Sequence, residues 1–282
     1  VLVFSGDLGP KGTPILRDAE PVPYADLVLL ESTYGGRAHR DREATLAEIS
    51  EVLESAWNSG GNVLIPAFAV GRSQELLYWF ARNWDEWNMA RWKIFLDSPM
   101  ATKVVGVYDE HESLFDEAAQ EVWRGRPHPF RLPNLNFSVE VEESRAINDH
   151  RGGAIIIAGS GMCNGGRIRH HLRQNLGRKE THVMFVGYQA NGTLGRRLVD
   201  GAREVKLFGE SVHVKAQLHT VGGLSAHADQ PALADWYGHV GNRPPVVLVH
   251  GEDDAREALA GVIRKQHHVD VMLARPGMEV EV

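Results

Sequence analysis

Short apolar runs alternate along the chain with longer stretches in which apolar residues recur at helical spacing. Helical spacing is clearest over residues 42–58, where Ile49, Val52 and Leu53 repeat on one face. Further helices are predicted to begin near residue 71 and to span 167–176 and 194–199. The apolar runs predict β-strands at residues 1–5, 27–30, 62–66, 94–96, 154–158, 182–186 and 246–249.

The order of these elements predicts an α/β fold. Strand, glycine-rich loop and helix follow one another at least four times, which is typical of parallel strands joined by crossover helices. The loops at the carboxyl ends of such strands share one edge of the sheet, and ligands bind there. From residue 205 onward the pattern changes. Alternation at 212–218 predicts antiparallel strands, and closing strands are predicted at 269–273 and 279–282.

The composition narrows the class of protein. The 282 residues suffice for two domains, and 43% of them are hydrophobic, as in a globular protein with a core. No apolar run approaches the roughly 20 residues that span a bilayer, so no membrane protein is predicted. A net charge of −7 argues against coating nucleic acid through overall basicity, although a local cleft could still hold a strand. The single cysteine, Cys163, excludes an internal disulfide framework and fits a reducing cytoplasm.

Four polar residues stand where the predicted strands end or a helix begins. Asp7, Glu31 and His250 each follow an apolar strand, and His227 precedes a helix. A side chain at the end of a strand is held by a rigid sheet yet faces a cleft, which suits metal ligands and general acids. Each residue alone also has a purely structural interpretation as a turn residue, a helix cap or a buried core histidine.

The segments around these residues add a stronger indication. Five of them, taken in order and with their spacing, closely resemble the β-CASP branch of the metallo-β-lactamase superfamily, which includes the cleavage and polyadenylation endonuclease and bacterial and archaeal ribonucleases. The five segments are residues 4–7 (FSGD), 31–35 (ESTYG), 66–75 (PAFAVGRSQE), 225–229 (SAHAD) and 249–252 (VHGE).

The resemblance implies a fold and a division into domains. Residues 1–35 and 205–282 would form part of a metallo-β-lactamase αββα sandwich. Residues 36–204 would form an inserted, Rossmann-like α/β β-CASP domain.

The resemblance also implies a role for each of the four residues. Asp7 corresponds to the carboxylate that bridges two zinc ions, and His250 to a late histidine that binds the second zinc. Glu31 corresponds to the acidic residue of the first β-CASP motif and would orient His227, which protonates the leaving oxygen. A pair of zinc ions activates water and neutralises charge on the scissile phosphate.

One part of the family pattern is missing from this sequence. The family takes most of its zinc ligands from a His-x-His-x-Asp-His motif and one further histidine, upstream of the strand that precedes Asp7. No such motif occurs in the chain. We therefore expect the chain to be a fragment of a longer protein that, alone, binds zinc poorly, hydrolyses little and is marginally soluble.

Two features could bind the phosphates of a nucleic acid. Basic residues are concentrated between Arg167 and Lys179, and backbone N–H groups at predicted helix starts can bind anions. An ordinary solvated helix face explains the basic cluster about equally well. If it is functional, phosphate or RNA contacts are predicted at Arg72, Ser160, Gly161, Arg167, Arg169 and Thr193.

The sequence therefore predicts a zinc-dependent RNA phosphodiester hydrolase acting as an endonuclease, a 5′-to-3′ exonuclease or both. RNA is the expected partner, no membrane is expected, and a homo-oligomer remains open. Two alternatives are an inactive RNA-binding or scaffolding paralogue and a DNA-acting nuclease of the same superfamily. A nucleotide-binding doubly wound domain is weaker, because no strand is followed by a glycine-rich phosphate-binding motif.

Overall fold

The computed structural model describes residues 1–280. The strands of this part of the chain are β1 (Leu2–Phe4), β2 (Leu27–Glu31), β3 (Val63–Pro66), β4 (Lys93–Asp97), β5 (Leu135–Phe137), β6 (Ala154–Ala158), β7 (His182–Phe185), β8 (Glu204–Leu207), β9 (Glu210–His213), β10 (Gln217–Thr220), β11 (Val246–Val249) and β12 (Val271–Leu273). Its α-helices are α1 (Arg42–Asn58), α2 (Arg72–Arg82), α3 (Pro99–Glu110), α4 (Glu117–Arg124), α5 (Val141–Ala146), α6 (Ile168–Asn175), α7 (Leu194–Val199), α8 (Gln230–Gly238) and α9 (Asp253–His267). None of the helices described is both long and apolar enough to cross a membrane.

The chain folds into two compact units. The terminal unit comprises Val1–His39 and Ser225–Val282, and the central unit comprises Arg40–Leu224. The terminal unit contains a four-stranded sheet in the order β1-β2-β11-β12, in which every neighbouring pair is parallel. Leu30 and Leu248 of this sheet are fully buried in one core with Tyr237 of α8 and Ile263 of α9.

The central unit contains a six-stranded sheet in the order β10-β7-β3-β6-β4-β5, again parallel throughout. The middle strands β3 and β6 are buried along their whole length, as expected for a parallel sheet covered on both faces. Strands β8 and β9 form a separate antiparallel hairpin, and its residues Val205 and Leu207 join the core of the central unit.

The predicted α/β class with parallel sheets is confirmed, and α1 and α7 have the predicted bounds. The region after residue 205 differs from the prediction. Strands β8 and β9 pair antiparallel, whereas β10 extends the six-stranded sheet by pairing parallel with β7. This pairing keeps residues 205–224 in the central unit, which ends at Leu224.

The first two residues of the last predicted strand, 279–282, do not form a strand. Residues 279 and 280 adopt no regular structure, and residues 281 and 282 lie outside the described part of the chain.

Candidate active site

Three of the four predicted site residues lie at one edge of the terminal unit's sheet. Asp7 follows β1, Glu31 is the last residue of β2, and His250 follows β11. These strands are neighbours and run parallel, so their carboxyl ends meet at the same edge. The sheet thus brings together residues up to 243 positions apart in the sequence (250 − 7).

Glu31 is the buried anchor of the site. Its side chain is 1% exposed, and its Oε1 accepts a hydrogen bond from the Leu8 backbone N–H at 3.1 Å. Its Oε2 accepts another from the Thr33 N–H, also at 3.1 Å. A buried carboxylate needs such partners, and these two fix its orientation.

His227 completes the hydrogen bonding of that carboxylate. Its Nδ1 lies 3.1 Å from Glu31 Oε1, and its side chain is 20% exposed. Since an ionised carboxylate only accepts hydrogen bonds, Nδ1 carries the proton of this contact. In the neutral ring the lone pair then lies on Nε2, the nitrogen that can bind a metal or accept a proton.

His250 and Asp7 lie side by side at the rim. The Nδ1 of His250 is 3.3 Å from Asp7 Oδ1, and the two side chains are 59% and 62% exposed. The Thr33 hydroxyl donates a 3.0 Å hydrogen bond to the His250 carbonyl, which fixes the backbone at this position. Next to it, a Cβ on Gly251 would lie 2.5 Å from the Ser32 carbonyl oxygen, so only glycine lets the chain pass this close to β2.

The donor set suits a zinc ion. Asp7, His227 and His250 each offer a ligand atom, and the three atoms lie within 4.8 Å of one another. Zinc binds imidazole nitrogen and carboxylate oxygen at about 2.0–2.2 Å, so two ligands of one tetrahedral ion lie roughly 3.4 Å apart. The 3.3 Å separation between Asp7 and His250 matches that value. These residues fit as part of a metal site.

His39, which was not predicted as a site residue, supports the site. Its Nε2 is 2.7 Å from the His227 carbonyl oxygen, and its backbone N–H donates to Asp229 at 2.9 Å. Asp229 in turn caps α8 by accepting from the Ala232 N–H. His39 therefore ties down the 225–229 segment that carries His227. No local motif marks it, because its partners lie almost 190 residues away.

Two family models match the chain, one within the central unit and one that extends across residue 224 into the terminal unit. Residues 73–198 match the Beta-Casp domain, and residues 211–274 match the Zn-dependent metallo-hydrolase RNA specificity domain. Ribonuclease TTHA0252 of Thermus thermophilus is 42% identical over 281 residues, which cover 100% of this chain and 64% of the relative. Transcription termination factor FttA of Pyrococcus abyssi is 32% identical over 276 residues, which cover 94% of this chain and 42% of the relative. The chain belongs to the β-CASP branch of the metallo-β-lactamase superfamily.

In this β-CASP chain the predicted basic cluster is largely engaged within the protein. Arg167 pairs with the fully buried Asp97 at 2.8 Å and donates to the carbonyl oxygens of Ser138 and Val139. His171, also fully buried, lies 2.6 Å from Asp97 through Nε2. Burial alone would raise the pKa of Asp97, but hydrogen bonds from His171, Ser144 and Arg167 outweigh it and hold the pKa below its usual value. The cluster is therefore in part a buried ion network.

The other predicted phosphate contacts also have internal partners. Arg72 forms a buried ion pair with Glu75, and Arg169 lies over the Phe208 ring at 4.9 Å. Thr193 caps α7 by accepting from the Arg196 N–H. The hydroxyl of Ser160 accepts from the Gly165 N–H, and the Gly161 carbonyl accepts from Gln189. Contact of these residues with RNA stays a prediction.

Cys163 is not a nucleophile in this β-CASP chain. It is fully buried, and burial raises the pKa of its thiol to about 12. A thiol that stays protonated at neutral pH is unreactive.

Proposed function

We propose that this chain is part of a zinc-dependent hydrolase that cuts RNA phosphodiester bonds. In this proposal the terminal unit is a portion of the metallo-β-lactamase domain, and the central unit is the β-CASP domain. The observation that carries the proposal is the convergence of Asp7, Glu31, His227 and His250 at one sheet edge. Two comparisons support the same chemistry. Residues 211–274 match a Zn-dependent metallo-hydrolase RNA specificity domain, and the Thermus relative is named a ribonuclease.

Each residue has a proposed role that follows from its contacts. Asp7 and His250 are metal ligands, with two zinc ions per site in the intact protein. Bound zinc would supply an activated water and positive charge against the phosphate. Glu31 is a positioning residue, since it is buried and reaches the reaction only through His227.

His227 is the proposed general acid. Glu31 fixes the proton on Nδ1, so protonation of the ring places a second proton on Nε2. That proton can pass to the departing oxygen when the phosphodiester bond breaks. A positioned general acid contributes about 10²–10⁴-fold to a rate, which sets the size of the effect expected when the ring is removed.

The proposal is tested in the full-length protein with zinc and an end-labelled RNA. We expect His227→Ala to lower the cleavage rate by about 10²–10⁴-fold, and Asp7→Asn to lower both cleavage and zinc content. His239→Ala and Asp254→Asn are matched controls, because both residues are exposed on the same unit and outside the site. Cleavage by both site variants at the rate of the controls would refute the proposal.

A further inference from the structure

The sheet of the central unit has a point at which its connections change direction. From β3 the chain crosses over β6 to reach β4, whereas from β6 it crosses over β3 to reach β7. Right-handed crossovers that run in opposite directions lie on opposite faces of a sheet. The loops after β3 and β6 therefore leave the carboxyl edge toward opposite faces, an arrangement that typically forms a crevice between two adjacent strands. In open parallel sheets this is where ligands bind.

One residue from the loop after β3 contacts one residue from the loop after β6. Phe68 follows β3 and Gly161 follows β6. A Cβ on Gly161 would lie 2.8 Å from ring carbons Cδ2 and Cε2 of Phe68. The ring thus lies directly on the glycine backbone, and any larger residue at 161 would displace it.

Both sides of this contact are fixed. The Phe68 carbonyl accepts hydrogen bonds from the Ser73 hydroxyl at 2.8 Å and from the Ser73 N–H at 3.3 Å. The Gly161 carbonyl accepts from the buried Gln189 side chain at 2.9 Å. Despite this support, Phe68 is 47% exposed. A large apolar ring that is held in place yet left open to solvent is a preformed binding surface.

The chemistry of that surface selects its ligand. Aromatic rings bind single-stranded nucleic acids by stacking on a base, and every base offers a π-face. We propose that Phe68 stacks on a base of single-stranded RNA at this crevice. The inference deepens the proposed function and rests on it, since it takes RNA as the substrate.

The experiment uses the zinc-loaded full-length protein and measures, by fluorescence anisotropy, binding of a labelled single-stranded RNA of about 12 nucleotides whose 2′-O-methyl phosphorothioate backbone resists cleavage. A strand of the same length without bases separates stacking from contacts to the backbone. The variants are Phe68→Ala, Phe68→Leu and Phe68→Trp. Phe137→Ala is the matched control, because Phe137 is a 37% exposed phenylalanine at the end of the edge strand β5.

Base stacking contributes about 1–3 kcal/mol per base, so we expect Phe68→Ala to bind RNA about 10-fold more weakly than the wild type. Phe68→Leu should lose nearly as much, while Phe68→Trp and Phe137→Ala should keep wild-type affinity. The abasic strand should bind all variants equally.

Three results would overturn the inference and leave the proposed function standing. The first is equal RNA affinity of Phe68→Ala and wild type. The second is wild-type affinity of Phe68→Leu, which would mean that an apolar contact suffices. Equal loss on the abasic strand would also overturn it, because the loss would then not depend on bases. Failure of the wild type to bind RNA at all would instead refute the proposed function, and the inference with it.

Discussion

Replacing Asp97 with asparagine tests whether the central unit depends on one buried charge. The carboxylate is fully buried and accepts hydrogen bonds from Ser144 at 2.6 Å, His171 at 2.6 Å and Arg167 at 2.8 Å. An amide is neutral, and its nitrogen can only donate, so at least one of the three hydrogen bonds that the carboxylate accepts would be lost. Arg167 would also lose its counter-charge.

The size of the loss follows from these contacts. Breaking a buried ion pair by removing one partner costs about 3–5 kcal/mol. The lower end applies here, because the Arg167 side chain is 19% exposed and keeps two carbonyl acceptors. We therefore expect Asp97→Asn to lower the free energy of unfolding by about 3 kcal/mol.

The assay is urea unfolding followed by tryptophan fluorescence. Six of the seven tryptophans lie in the central unit, so the signal reports mainly on the unit that contains Asp97. Asp149→Asn is the control, since Asp149 is exposed in the same unit and should change stability by no more than about 0.5 kcal/mol. A loss below about 1 kcal/mol for Asp97→Asn would show that solvent or rearrangement replaces the charge, contrary to the burial argument.

Three further predictions concern pH, the general acid and the metal site. Burial and, to a smaller extent, the neighbouring His219 lower the pKa of His182 to about 4. The contribution of His182 to the stability of the fold is therefore full above pH 6.5 and is lost as the pH falls through 4. His182→Gln should reduce the change in the urea unfolding midpoint across this pH range. Glu31→Gln should lower the cleavage rate about 10–100-fold without weakening RNA binding, and an unchanged rate would contradict its positioning role. Gly251→Ala should weaken zinc binding in a competition assay, because the added Cβ would lie 2.5 Å from the Ser32 carbonyl oxygen and displace the neighbouring His250. Gly261→Ala should not weaken it, because no atom lies within 4 Å of a Cβ at that position.

The parts of the fold that depend on local pattern were accessible from the sequence. The apolar run at Ala154–Ala158 and the helical spacing at Arg42–Asn58 correspond to β6 and α1. Asp7, Glu31 and His250 could be singled out because each follows a predicted strand, and parallel strands bring such positions to one edge.

The parts that depend on distant partners were not accessible. The sequence around Arg167 and His171 looks like a solvated basic helix, because nothing local shows that Asp97, 70 residues earlier, lies beneath it. His39 was missed for the same reason. Strand β10 was misjudged because its partner β7 lies across a helix and a hairpin, and alternation of side chains alone does not reveal the direction of the neighbouring strand.

The division of the terminal unit between the two ends of the chain has a consequence for synthesis on the ribosome. Strand β2 needs β11 as its neighbour, and β11 begins only at Val246. At about 5–20 residues per second, the early strands emerge roughly 10–40 seconds before that neighbour exists. Meanwhile Leu30, fully buried in the finished fold, has no complete core to join. The central unit, encoded as one uninterrupted segment, can mature during that interval, so the sheet edge that carries Asp7, Glu31 and His250 is completed only after it.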